Sequence, residues 1–308
     1  MSMLHSVVVH TLPWVPKPII RRIAGRYIAG ESREGLLRVV DSLHAQGYLT
    51  TVDVLGENVT TREEAQAAAQ EYSRLIEALS GRSDSPQISV KLTLLGLRLD
   101  EGLANELLTH VIGAAEAHRV GVYLDMEDSS TTDAILKAFR ASRARQANVG
   151  VAIQAYLRRS QVDLMRLLDL RPSVRICKGI YNEPASIALK DRMEIRESFL
   201  DLVRRLREGG GFCAIATHDP WLLDRCLPLV TGSNGGGGHE FQMLLGVGDA
   251  LRPRVLATGS RIRLYCPYGP DWYAYSLRRL RENPHMASYI AQTLLSRKLL
   301  ERGHLERG

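Results

Sequence analysis

Short runs rich in β-branched and apolar residues recur eight times along this chain, each followed by a longer stretch with helical spacing. The runs cover residues 48–55, 87–93, 121–127, 149–157, 174–181, 212–219, 238–247 and 261–269. After the first run, Ala65, Ala68, Ala69, Tyr72, Leu75, Ile76 and Leu79 fall on one helical face, and Thr60 with Glu63 predicts a capping box at its start. The same spacing returns at Ile195, Phe199, Leu202, Val203 and Leu206. Strand-then-helix units joined by right-handed crossovers make an all-parallel sheet, and eight of them close into a barrel. The expected fold is therefore α/β: a (β/α)8 barrel with extra N-terminal helices and a C-terminal helix. An open doubly wound sheet would carry a glycine fingerprint after its first strand, and VDVLGENVTTRE has no GxGxxG.

The sequence divides accordingly into an N-terminal helical segment (1–46), the barrel (47–284) and a C-terminal helix with its tail (285–308). Two helical patterns within 1–46 are expected to close the barrel floor. The run Gly235 to Gly238 precedes a strand, so it reads as a flexible connector on the bottom face rather than a phosphate loop.

Composition excludes several classes. With 308 residues, 45% hydrophobic and 24% charged, the chain is neither a stapled miniprotein nor disordered, and no stretch approaches the ~18 apolar residues of a membrane span. Its net charge of +6 is interleaved with acidic residues, which gives no basic stripe for nucleic acid. Cys177, Cys213, Cys226 and Cys266 form no CxxC pair, and the first strand lacks the HxH of a metal hydrolase barrel, so neither a disulfide framework nor a metal site is expected. The absence of a signal-like N-terminus, with this cysteine usage, points to the cytoplasm.

In a barrel, reactive groups gather at the C-terminal ends of the strands. Sorted by strand, those positions hold Asp53 and Glu57, Lys91, Asp125 and Glu127, Gln154, then Arg175, Lys178 and Tyr181, then Thr217 and His218, Glu240 and Gln242, and Tyr265. Two of only six lysines fall where burial is expected, and each needs an anion; Lys91 with Asp125 is one such pairing within a purely structural network. His218 is open to a structural role or to donation toward a cofactor phosphate. Tyr275, Arg278, Arg279 and Glu282 share one helical face, where Glu282 can hold both guanidinium groups; the face is either solvated or a grip for a carboxylate beside an apolar ring. On residue chemistry alone a Schiff-base lyase using Lys178 or Lys91, and a non-enzymatic small-molecule-binding barrel, both stay open.

The strand-end motifs resemble those of the FAD-dependent proline dehydrogenases. The likeness runs over residues 45–284 through DVLGE (53–57), SVKLT (89–93), YLDME (123–127), IQAY (153–156), RICKGIY (175–181), ATHD (216–219), EFQMLLG (240–246), RLYCPYG (263–269) and YSLRRLRE (275–282). It implies oxidation of L-proline to Δ1-pyrroline-5-carboxylate by hydride transfer to FAD. By the same resemblance Arg175 stands near the flavin N5 and Asp125 is an acidic catalytic residue. Lys178, Gly179, Ile180, Met126, Gln154, Thr217 and His218 contact the cofactor. Lys91, Arg278 and Arg279 hold the proline carboxylate, Tyr265 and Tyr275 pack the ring, and Glu57 can pair with Arg278, the first arginine of the 275–282 helix. Cys177 and Ile180 stand where the family often has an aliphatic residue and alanine, so Ile180 adds bulk beside the flavin.

Cations around the carboxylate would favour the neutral amine whose lone pair assists oxidation. The resemblance further implies a membrane quinone as electron acceptor, peripheral contact with the inner face of the membrane, and hand-over of product to a pyrroline-5-carboxylate dehydrogenase.

Overall fold

Eight strands pair in chain order, β1 to β8, and close on themselves through β1 and β8. They are β1 (Leu49–Val54), β2 (Gln87–Val90), β3 (Gly121–Leu124), β4 (Val149–Gln154), β5 (Ser173–Cys177), β6 (Phe212–Ala216), β7 (His239–Leu244) and β8 (Ile262–Tyr268), all parallel to their neighbours. The structure is a computed structural model describing residues 25–82, 85–146, 148–231, 238–273 and 276. Tyr275, Arg278, Arg279, Glu282, the C-terminal helix expected over 285–308 and most of the first N-terminal helical pattern lie outside the described residues.

Alternation along each strand sends Val52, Val90, Val122, Val151, Ile176 and Leu264 outward, where they are fully buried beneath the helices. Those helices are α1 (Arg33–Ala45), α2 (Arg62–Leu79), α3 (Glu101–Ala117), α4 (Thr132–Arg143), α5 (Ser160–Met165), α6 (Arg192–Glu208), α7 (Pro220–Thr231) and α8 (Arg252–Leu256). Each covers the outer core with its periodic face, as Tyr72, Leu75 and Ile76 of α2 and Phe199, Leu202 and Leu206 of α6 do at zero exposure. Burial of each such side chain contributes roughly 1.5–3 kcal/mol.

Three sequence expectations are corrected. The capping box of α2 is one residue later than the spacing suggested: Thr61 Oγ1 accepts from Glu64 N at 3.2 Å, while the Glu64 carboxylate accepts from the amides of Thr60 and Thr61. The helix α1 packs on the outer side of β1 and β8 rather than under the floor, burying Leu36, Val40 and Leu43. Residues just before it run beside the C-terminal end of β8, where Ala29 N donates to Pro267 O at 2.8 Å and Gly269 N to Gly30 O at 3.1 Å. Most strands also end earlier than their apolar runs, because the loops that follow remain buried and so keep a strand-like composition. Lys91, Asp125, Met126, Lys178, Thr217 and His218 accordingly sit just past strand ends.

The barrel interior is polar and layered. Toward the floor, Arg263 of β8 is 1% exposed and donates through Nε to Glu240 Oε1 at 2.7 Å, and through Nη1 to the carbonyls of Thr50 and Ser85 at 2.8 Å. Glu240, grouped by sequence with the strand-end residues, therefore belongs to the lower layer: it lies two residues before Gln242 on the same inward face. Gly238, the last residue of the glycine run, has φ +74° and leads directly into β7.

Candidate active site

Above that floor, Asp125 at the end of β3 is the acceptor on which the site converges. Its Oδ1 accepts from Arg175 Nη1 and from Ser89 Oγ, both at 2.6 Å, and its Oδ2 accepts from Tyr265 OH at 2.8 Å. Arg175 projects inward from β5 and lies over the rings of Tyr123 and Tyr265, at 4.7 and 5.2 Å from their centroids. Its Nε donates to Gln242 Oε1 at 2.6 Å, whereas its buried Nη2 has no hydrogen-bond partner among the described residues. Burial, and next the Asp125 charge, hold the Tyr265 hydroxyl well above its ordinary value, so it remains a neutral donor.

Lys91, at the end of β2, donates to Asp53 of β1 and lies 3.8 Å from Asp125. Burial pushes the ammonium down, but the charges of Asp53 and Asp125 outweigh it and leave Lys91 raised. A lysine held between two carboxylates suits a cation for binding; a Schiff-base nucleophile needs the opposite shift. Asp53 is the partner that sequence reasoning did not assign to Lys91. Its position at the first strand end is legible, but the pairing between neighbouring strand ends follows from register, which sets Asp53 opposite Ser89.

The second half of the site forms after β5. Tyr156 N donates to Lys178 O at 2.8 Å, and Gly179 turns the chain at φ +114°. A Cβ added to Gly179 would sit 2.1 Å from the Tyr156 ring, so no other residue fits that turn. Gln154 holds the loop from below: its Nε2 donates to Glu127 O at 2.9 Å, and its Oε1 lies 3.4 Å from the donating amide of Ile180. Ile180 itself is 47% exposed.

Lys178 Nζ donates to Asp219 Oδ2 at 2.6 Å, and Asp219 also takes a two-armed contact from Arg196 of α6 at 2.9 and 2.8 Å. Neither Asp219 nor Arg196 was singled out from the sequence. Arg196 stands one turn before Phe199 on the buried face of α6, and a cation next to that apolar run is the available signal. His218 Nε2 accepts from the amide of Leu244 at 2.8 Å, so its ring proton is carried on Nδ1. Burial pushes the Cys177 thiol up to about 12, which leaves it a neutral wall of the site.

Lys91, Asp125, Arg175, Lys178, His218 and Tyr265 line one cavity of about 940 Å³ that also includes Glu57, Met126 and Thr217. Such a volume lies in the upper part of the range for small-molecule and cofactor pockets. Every predicted site residue within the described region thus meets at the C-terminal ends of the strands. Among the described residues there is no cluster of His, Cys, Asp or Glu arranged to hold a metal.

The donor set fits an acceptor-rich cofactor. Arg175 Nη2 is buried with no acceptor of its own, and Lys178, 38% exposed at its side chain, reaches the same cavity from the cradle loop. A closed parallel barrel with paired cations, carboxylates and a glycine turn round one cavity is a (β/α)8 enzyme acting on a small molecule.

Comparison with known proteins narrows that class. The sequence profile of the proline dehydrogenase family matches residues 36–292. Proline dehydrogenase 1 of Bacillus subtilis is 33% identical over 275 residues, covering 89% of this chain and 91% of its own. The proline dehydrogenase of Deinococcus radiodurans is 35% identical over 279 residues, covering 89% and 90%. Among solved structures, proline utilization A from Bdellovibrio bacteriovorus inactivated by N-propargylglycine superposes with a TM-score of 0.76 at 25% identity. It matches 85% of this chain, which spans 32% of that longer protein. The chain belongs to the proline dehydrogenase family.

Proposed function

We propose that this chain oxidises L-proline to Δ1-pyrroline-5-carboxylate with FAD as its cofactor, the first step of proline catabolism. The observation that carries the reading is the buried, singly unsatisfied Arg175, held by Asp125 and Gln242 in the cavity shared by Lys91 and the Lys178–Gly179 cradle. When bound, the flavin would supply the electron chemistry, as hydride acceptor for the carbon–hydrogen bond of the ring carbon next to nitrogen.

The residues of the chain position and polarise. Arg175, whose Nη2 is a buried donor without a partner among the described residues, would stand beside the cofactor ring. Met126, Gln154, Gly179, Ile180, Thr217 and His218 wall the cofactor, and Lys178 pairs with its phosphates. Lys91, with Arg278 and Arg279, takes the substrate carboxylate, while Tyr265 and Tyr275 pack the pyrrolidine ring. Asp125 is the catalytic carboxylate that fixes both Arg175 and the Tyr265 hydroxyl. Glu57 pairs with Arg278 to close the substrate entrance, and Glu282 steadies both arginines.

This barrel is the catalytic unit, residues 47–284.

Electrons then pass to a membrane quinone, with peripheral contact at the inner face of the membrane; no helix among the described residues is long and apolar enough to cross one. The product goes to a pyrroline-5-carboxylate dehydrogenase. In support, the chain matches 24% of the bifunctional protein PutA of Escherichia coli at 26% identity.

Turnover of L-proline by the FAD-loaded protein with a soluble quinone, with the cyclic imine identified by mass, tests the reading. Absence of proline-dependent imine from flavin-loaded protein would remove it.

A further inference from the structure

The loop that carries the cradle is tied at both ends. At one end Cys177 and Lys178 present their carbonyls to the amides of Ala155 and Tyr156, at 2.7 and 2.8 Å. At the other, the Glu183 carboxylate accepts from Ser129 N and Ser129 Oγ, both at 2.7 Å. Between these anchors run Gly179, Ile180, Tyr181 and Asn182, all of which line the cavity.

Glu183 is unusual for a loop carboxylate. It is 7% exposed, yet no cation pairs with its carboxylate among the described residues. Burial without a counter-ion is costly, and both oxygens are spent on one serine at the entrance to α4. Ser129 is itself held firmly, because Arg98 grips the neighbouring Asp128, and Thr131 donates to Asp128 O through N and Oγ1 at 3.1 and 2.8 Å. The backbone of Glu183 is fixed as well, its amide donating to Tyr181 O at 3.1 Å and its carbonyl accepting from Lys190.

We infer that Glu183 is a positioning residue: by latching the β5–α6 loop onto Ser129 of the β3–α4 loop, it sets the shape of the segment against which the cofactor rests. The inference builds on the flavin reading for its consequence, but the latch stands on its own geometry. Glutamine in its place would keep an acceptor for Ser129 N but lose the charge, and its amide nitrogen could meet Ser129 Oγ only with the hydrogen bond reversed.

The test compares Glu183→Ala, Glu183→Gln and Ser129→Ala with wild type, the last retaining the backbone bond so that a folded variant is available. Hydrogen exchange of the apoprotein should accelerate within residues 178–183 and stay unchanged in the outer helices. The FAD dissociation constant, read by quenching of flavin fluorescence, should weaken by about tenfold or more in Glu183→Ala and by about threefold in the other two. The KM for L-proline at saturating FAD should stay within about twofold of wild type.

A residue that only supports the fold would lower Tm and leave local exchange and FAD affinity unchanged. That result, or a KM rise without a change in FAD affinity, overturns the inference. If the wild-type protein takes up no FAD, the proposed function fails, while the exchange comparison still decides the latch.

Discussion

Arg175 reaches from β5 past β4 to place its Nη1 2.6 Å from Asp125 Oδ1, and the same carboxylate accepts the Tyr265 hydroxyl with its other oxygen. One carboxylate thus orients both a buried guanidinium and an aromatic donor. Asp125→Asn keeps the size of the group but loses the charge and part of its accepting capacity. We expect kcat/KM for L-proline to fall on the order of 10²–10³-fold, the range for losing one preorganised polar group. FAD content should remain near that of wild type, and steady-state kinetics with flavin quantification checks both.

A chain of contacts leads from this pair to the floor. Arg175 Nε donates to Gln242 Oε1, Gln242 Nε2 donates to Glu240 Oε1 at 2.8 Å, and Glu240 accepts from Arg263. Because Arg175 only donates and Glu240 only accepts, the Gln242 amide has a single compatible orientation. Glu240→Gln leaves the Arg263 charge uncompensated, which should cost roughly 3–5 kcal/mol of stability in urea unfolding. Its kcat/KM should fall by less than about tenfold, since Arg175 keeps Asp125.

Acid stability should depend on Asp219. Burial alone would push its carboxyl up, but the hydrogen bonds of Arg196 and Lys178 and their charges outweigh this and hold it well below the usual carboxylate range. A carboxyl depressed in the folded state contributes stability that is fully present above the unfolded pKa of about 3.9 and is lost as pH falls toward the folded value. The stability gap between wild type and Asp219→Asn should therefore be constant from about pH 7 to pH 5 and shrink below about pH 4. Urea unfolding at several pH values measures it; a gap that widens in acid would contradict the assignment.

How much of this was visible beforehand follows from what repeats and what does not. The eight units and the outer faces of α2 and α6 follow from periodicity, which acts within one element. Lys91 and Lys178 are marked in the sequence by the cost of burying an ammonium in a strand. Their partners Asp53 and Asp219 stand at the ends of neighbouring strands, and which of the residues there meet is a matter of register that local pattern does not encode. Glu240 shows the same limit, since the residue type gives its inward face but not its layer. The place of α1 beside β8 was misread because helical patterning records an apolar stripe without naming the surface that covers it. Arg196 and Glu183 act on residues distant in the chain or in a neighbouring loop, and neither belongs to a periodic signal.

Gly179 offers a direct probe of the cradle. With φ +114° and a Cβ position 2.1 Å from Tyr156, Gly179→Ala must shift the loop or the ring, at a cost on the order of 1–3 kcal/mol of local strain. We expect about tenfold weaker FAD binding or more, with far-ultraviolet circular dichroism unchanged. Equal FAD affinity in the variant would mean that the turn does not touch the cofactor.

The central claim is that one cavity holds FAD and L-proline in reacting contact. Its most direct measurement is the visible absorbance of the FAD-loaded protein under anaerobic conditions on addition of L-proline. The account predicts that the flavin bands bleach with L-proline and recover when a quinone is added. Flavin that binds stoichiometrically yet keeps its oxidised spectrum through a saturating excess of L-proline would contradict it.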